Sequence, residues 1–141
     1  MQMAIRDTSR MLQNLYPHLL GFHGLFRWVV LVAAVVAIFV AFSGWNGAKP
    51  PSANLRRFSV LFVIAMDIEL LIGLLLYLGA SSTLRAALAS HTMLMLLAVV
   101  CAHVGGALSR KASTDQMKYR GAAIAFTISL LLMLAGIPYR L

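Results

Sequence analysis

Four stretches of this 141-residue chain are long and apolar enough to cross a lipid bilayer, and they constrain the fold more than any other feature. A helix needs about 20 apolar residues to span the hydrocarbon core. The predicted spans are residues 21–42, 58–79, 90–108 and 121–138. The chain is 61% hydrophobic and 11% charged, whereas a soluble domain averages about 45–50% apolar and about 25% charged residues. We therefore expect one transmembrane domain over residues 1–141.

The fold class expected is all-α: an integral membrane four-helix up-and-down bundle, because each backbone polar group in lipid must be satisfied within its own segment. Residues 1–16 differ from the four spans. Their apolar side chains fall on one side of a helical wheel, which is typical of a short amphipathic helix lying at the membrane interface. Pro17 follows, as proline often does at the first turn of a new helix.

The loop charges predict the orientation and the main partner. The basic residues give a net charge of +8 without forming one patch, so the lipid bilayer is the expected partner and nucleic acid is not. Seven lie in the first and third loops: Lys49, Arg56, Arg57, Arg110, Lys111, Lys118 and Arg120. Four lie at the termini and in the second loop: Arg6, Arg10, Arg85 and Arg140. This bias predicts that both termini face outward, away from the cytoplasm.

Six ionisable residues fall inside the predicted spans, and they indicate a site. They are His23, Arg27, Asp67, Glu69, His91 and His103. An ionisable group at bilayer depth costs about 2.5–3.5 kcal/mol on insertion scales. A small, very apolar protein that keeps six of them is expected to use them.

His23 and His91 stand near the starts of the first and third spans, which an up-and-down bundle makes parallel. At about 1.5 Å per residue, the two imidazoles are expected at the same level near the outer face. Two histidines at matched depth are what axial ligation of a b-type haem iron requires. Arg27 shares the helix face of His23 and is suited to pairing with a haem propionate.

A deeper group is expected at mid-membrane. His103 lies about 18 Å further along its helix than His91 and is rotated by about 120°, so it is not expected on the same iron. Asp67 and Glu69 are placed near the His103 level and point to nearly opposite faces of their helix. An Asp67–His103 or Glu69–His103 pair is consistent with proton relay, with binding of a quinol hydroxyl, or with a polar pair that fixes helix register.

Four motifs resemble those of small bacterial four-helix membrane proteins labelled cytochrome b-like. They are FHGLFRWVVL, DIELLIGLLLYLG, SHTMLMLLAVVCAHVGGALSRK and AGIPYR. Where the family pattern has an acid before the third-helix histidine and a proline after it, this chain has Ser90 and Thr92. The resemblance implies b-type haem, electron transfer with a membrane quinol, and the bacterial inner membrane.

Two other functions are consistent with the sequence. One is a non-redox accessory subunit of a larger membrane complex or homo-oligomer, in which the buried polar residues fix helix packing. The other is a small proton- or ion-coupled carrier, although the broken helices common in transporters are absent from the pattern. No Ser-His-Asp order, phosphate loop or HExxH signature is present, so the sequence assigns no enzyme class.

Overall fold

The structure is a computed structural model that describes residues 2–47, 50 and 52–137, with side chains described from residue 14 onward. Within these residues the regular structure is entirely helical, without strands. The elements are α1 (Gln2–Phe42), α2 (Ala53–Gly79), α3 (Ser82–Ala87), α4 (Ala89–Lys111) and α5 (Asp115–Ala135). The short helix α3 lies in the second loop and was not expected from the sequence.

Four helices in the described part of the chain are long and apolar enough to cross a membrane. The candidate spans are Asn14–Phe42, Ala53–Gly79, Ala89–Lys111 and Asp115–Ala135. Each also presents large apolar side chains on its outer surface, among them Leu25, Phe39, Leu78, Val100 and Leu131. An outer surface of this kind is favourable in lipid and unfavourable in water, so the fold is that of a multi-pass membrane protein.

Side-chain caps define where three of the helices begin. The hydroxyls of Ser52, Ser81 and Thr114 accept hydrogen bonds from the backbone N–H groups three residues further on, at the starts of α2, α3 and α5. Each cap satisfies one of the donors that a helix N-terminus leaves free. The connection between α4 and α5 is only Ala112–Thr114, so the two helices must turn back on each other.

Each long helix packs most extensively against two others. Helix α1 contacts α2 and α5, and α4 contacts α2 and α5, which leaves α1 and α4 on a diagonal. Helices α4 and α5 are antiparallel, since His91 contacts Gly136 at one end while Leu108 contacts Gly121 at the other. Helices α2 and α4 are also antiparallel: Asp67 meets His103, and Val63 lies beside Gly106.

Small residues bring the helices close together in the core. Helix α1 buries Val30, Ala34, Ala37 and Ala41 at helical spacing, and α4 buries Ala98, Ala102, Gly105 and Gly106. The Phe62 and Phe126 rings fill the space between α2 and α5 in an edge-to-face contact, with centroids 5.3 Å apart. Ser129 donates a hydrogen bond of 2.7 Å to the carbonyl of Ala98. The row of small residues in α4 therefore serves close packing, which is their usual role in membrane helices.

Tyr119 fixes the first loop to α5. Its side chain is almost fully buried. Its hydroxyl accepts a hydrogen bond from the backbone N–H of Ser52 (3.0 Å) and donates one to the carbonyl of Pro50 (3.2 Å). Its ring also lies where a side chain at Gly44 would have to go. The ends of α1 and α2 are thus held against the start of α5.

The first helix differs from its prediction. A separate element over residues 1–16 was expected, with a break at Pro17, but α1 continues through Pro17 as one helix. Membrane helices tolerate an internal proline because neighbouring groups satisfy the carbonyl that it frees. The location of residues 1–16 at the interface stays a prediction. The fourth span was predicted to end at residue 138, which lies outside the described residues.

We expect Gly105→Ala to destabilise the protein. A methyl group at this position would collide with the ring of Phe126, which is fully buried against Phe62. Overpacking of this kind costs about 1–3 kcal/mol. The control is Gly24→Ala in α1, where a methyl group meets nothing within 4 Å. Thermal melts in detergent should show a lower Tm for the first variant only, and equal melting temperatures would contradict the packing described.

Candidate functional site

Helix α2 carries the two intramembrane carboxylates near its midpoint. Asp67 and Glu69 are two residues apart, which directs them to nearly opposite sides of the helix. Each approaches a histidine of a different neighbouring helix: His103 of α4 and His23 of α1. The six predicted polar residues are thus arranged around α2 as two separate His–carboxylate pairs, with Arg27 and His91 outside them.

The His23–Glu69 pair is enclosed between α1 and α2. Its nearest atoms, His23 Nδ1 and Glu69 Oε1, are 3.1 Å apart, and the side chains are only 22% and 14% exposed. This separation is that of an ion pair, but the N–H direction does not meet hydrogen-bond geometry, and His23 Nδ1 and Glu69 Oε2 have no hydrogen-bond partner among the described residues. Gly73 makes room for the imidazole, since a methyl group there would lie 3.3 Å from His23 Cε1.

Arg27 lies one turn further along α1, near the midpoint of its span. Its Nε is buried and has no hydrogen-bond partner among the described residues. Its guanidinium carbon is 5.8 Å from the centroid of the Trp28 ring, within reach of a cation–π contact. His23 and Arg27 are four residues apart in α1, which is consistent with the prediction that they share one face of the helix. Arg27 Nε, His23 Nδ1 and Glu69 Oε2 are thus buried polar atoms whose hydrogen bonds are incomplete among the described residues.

The Asp67–His103 pair is open on the outer surface between α2 and α4. His103 Nε2 lies 2.9 Å from Asp67 Oδ1, and the side chains are 53% and 48% exposed. Both residues lie near the middle of their helices, so in a membrane this pair faces the hydrocarbon interior. A polar pair turned outward at this depth is unfavourable in lipid alone.

His91 lies at one end of the molecule, beside the end of α5. Its Nδ1 is 2.6 Å from the carbonyl oxygen of Gly136. Because a carbonyl only accepts a hydrogen bond, Nδ1 carries the proton in this contact, and in the neutral imidazole the free lone pair is on Nε2. Metal-ligating histidines are commonly held in this way. The sequence did not indicate Gly136 as the group that orients His91, because the contact depends on where α5 ends.

His23 and His91 are not at the same level. His23 contacts Glu69 and Gly73 of α2. The contact between Asp67 and His103 shows how α2 is aligned with α4, and this alignment places Glu69 and Gly73 at about the level of Val99 of α4. Val99 is eight residues past His91 in the sequence, which corresponds to about 12 Å along the helix. The matched depth expected from the sequence is therefore absent, because α1 begins well before residue 21 and carries His23 deeper.

Glu69 also differs from its expected place. It was grouped with Asp67 and His103, but it meets His23 instead. Asp67 and His103 do form one of the two pairs that the sequence allowed. Among the residues that the structure describes, no cluster of three or more His, Cys, Asp or Glu side chains could hold a metal ion.

We expect Glu69→Ala to lower stability more than Asp67→Ala. The first change leaves His23 enclosed without the carboxylate beside it, and a buried polar group without its partner costs about 1–3 kcal/mol. The second also removes a carboxylate from the lipid-facing surface, which offsets the loss of its contact. Thermal melts of both variants in lipid nanodiscs measure the difference. An equal or larger loss in Asp67→Ala would contradict the assignment of enclosed and open pairs.

No known protein family, curated protein or solved structure matches this chain. The likeness to cytochrome b-like membrane proteins therefore stays a prediction made from the motifs. The function has to be inferred from the two His–carboxylate pairs and from His91.

Proposed function

We propose that this protein binds a lipid-soluble quinol in the membrane, that the Asp67–His103 pair accepts its proton, and that the protein serves electron transfer. One observation carries the proposal: a His–carboxylate pair at mid-helix is half exposed on a surface that is otherwise apolar. Exposed neighbours on the same side of α2 and α4 include Leu71, Val100 and Val104. A quinol is the kind of reactant that this surface suits, because it dissolves in the bilayer and presents hydroxyl groups.

The geometry of the pair suits proton acceptance. An ionised Asp67 can only accept a hydrogen bond, so His103 donates from Nε2 and keeps the lone pair on Nδ1. That nitrogen can take a proton from a quinol hydroxyl, and Asp67 then stabilises the imidazolium that forms. Removing the hydroxyl proton leaves a quinolate anion, which is more electron-rich than the quinol.

Haem b stays a prediction as the electron acceptor, with His23 and His91 as ligands and Arg27 beside a propionate. The donor chemistry of His91 fits, because its Nδ1 is held by the Gly136 carbonyl and its Nε2 keeps the lone pair. The depths of His23 and His91 differ by about 12 Å along the helices, so the two histidines are not placed to ligate a single iron.

We propose that the four spans form an up-and-down bundle in the bacterial inner membrane. The antiparallel contacts between neighbouring helices support the topology. The greater number of Lys and Arg residues in the first and third loops supports a cytoplasmic location for those loops, with both termini outside. Residues 1–16 would then lie at the outer interface as the amphipathic start of α1.

A second candidate function rests on the same exposed pair. In a non-redox accessory subunit, a polar residue of a partner helix would cover Asp67 and His103, and the pair would fix that partner's position. A homo-oligomer would achieve the same with a second copy of α2 and α4. The two functions differ in one measurable property: only the first requires that a free quinol reach His103.

We expect decylubiquinol to perturb the ring signals of His103 selectively in the protein labelled with ¹⁵N-histidine and placed in nanodiscs. Asp67→Asn should weaken this binding about tenfold or more, because a hydrogen bond to a charged group contributes about 1.5–3 kcal/mol. Glu69→Gln is the matched control, two residues away on the opposite face, and should bind as the native chain does. The ring signals that disappear in the His103→Ala variant are those of His103.

The opposite result is equally specific. If decylubiquinol leaves His103 unchanged while Asp67→Asn and His103→Ala lower the melting temperature strongly, the pair is structural. The accessory-subunit function would then replace the proposal.

Absorption spectra of the purified protein test the haem prediction. The helix levels lead us to expect that a Soret band, which shifts on reduction, is lost in His91→Ala and kept in His23→Ala. Loss of the band in both variants would restore ligation of one iron by both histidines and contradict the register. A native protein without the band would refute haem binding and leave the quinol proposal to its own test.

A further inference from the structure

A basic cleft lies at the end of the molecule where α2 and α5 begin and α4 ends. Its volume is about 270 Å³, and its lining includes Ser52, Arg56, Ser109, Arg110 and Lys118. It is remote from both His–carboxylate pairs, which lie near the middles of the helices. We propose that this cleft binds the phosphate group of an anionic phospholipid. This inference does not rest on the proposed quinol function.

The cations of the cleft are only partly neutralised. Arg56 and Arg110 form no ion pair or hydrogen bond with the described residues. Lys118 is paired with Asp115 at 3.1 Å, but that carboxylate is 47% exposed and lies one turn before it on the same helix. Three positive charges therefore surround the cleft with one carboxylate beside them, which favours an anion between them.

The position of Arg56 strengthens the argument. Arg110 and Lys111 lie in the last turn of α4, where they interact favourably with the helix dipole without any ligand. Arg56 and Arg57 lie at the opposite kind of terminus, near the start of α2, where the dipole is positive and the first turn has no acidic residue. Positive charge at a positive helix end is unfavourable alone, and an anion bound there would relieve it.

The surroundings indicate a lipid as the source of the phosphate. The cleft opens at the ends of membrane-spanning helices, where phospholipid headgroups lie. At the same end, Arg120 stacks on Trp45, with 5.3 Å from the guanidinium carbon to the ring centroid. Tryptophan is typical of the membrane interface.

Native mass spectrometry of the whole chain tests the proposal by counting retained phospholipids. The protein should retain phosphatidylglycerol in preference to phosphatidylcholine, and Arg56→Gln or Lys118→Gln should each weaken retention about fivefold. The matched control is Lys111→Gln, which removes the same charge from the last turn of α4, next to Arg110 but outside the cleft lining. This control should retain phosphatidylglycerol as the native chain does. Thermal melts with added phosphatidylglycerol should show the same order of variants.

Two outcomes would overturn the proposal. Equal retention of the two lipids would do so, as would an equal effect of Lys111→Gln and Arg56→Gln, because the attraction would then be general. Added inorganic phosphate distinguishes the phosphate group of a lipid from free phosphate as the ligand of the cleft. If millimolar phosphate without lipid raises the melting temperature as phosphatidylglycerol does, and Arg56→Gln removes that rise, the cleft binds the free anion and the lipid assignment is wrong.

Discussion

The cost of placing an ionisable group in hydrocarbon governs this molecule more than any other interaction. Helix α2 carries two carboxylates within one half-turn near its midpoint, and each has a histidine of another helix beside it. Because the carboxylates point to opposite sides, the two pairs lie on two different faces of the helix. The placement of α1 on one side of α2 and of α4 on the other is consistent with this pairing.

The two pairs differ in their surroundings, and this difference separates their roles. Glu69 and His23 are enclosed, with unfilled hydrogen-bonding capacity on both residues and on nearby Arg27. Their contact connects α1 with α2. Asp67 and His103 are about half exposed on a lipid-facing surface. A pair that only held helices together would be better placed inside, so the outward position is the feature that a membrane-soluble reactant or a partner helix explains.

The sequence predicted much of the fold and only part of the site. Hydropathy located the four spans, because length and apolar composition are local properties. Counting along the helices placed Asp67 and His103 at one depth, and they do meet. The same counting failed for His23, since hydropathy reports where the apolar run begins and not where the helix begins. Helix α1 starts far before that run, so His23 lies deeper than His91 and meets Glu69 instead.

Cross-linking of cysteine pairs tests most directly the central claim that Asp67 lies beside His103 and Glu69 beside His23. In a Cys101→Ala background, which removes the single native cysteine, Asp67→Cys with His103→Cys and Glu69→Cys with His23→Cys should each form an intramolecular bridge. The reagent is a bifunctional methanethiosulfonate whose span matches the two side chains that it replaces, and mass spectrometry of the bridged peptides is the readout. The exchanged combinations, Asp67→Cys with His23→Cys and Glu69→Cys with His103→Cys, should remain unbridged. Efficient bridging of the exchanged combinations would contradict the arrangement on which the proposed function depends.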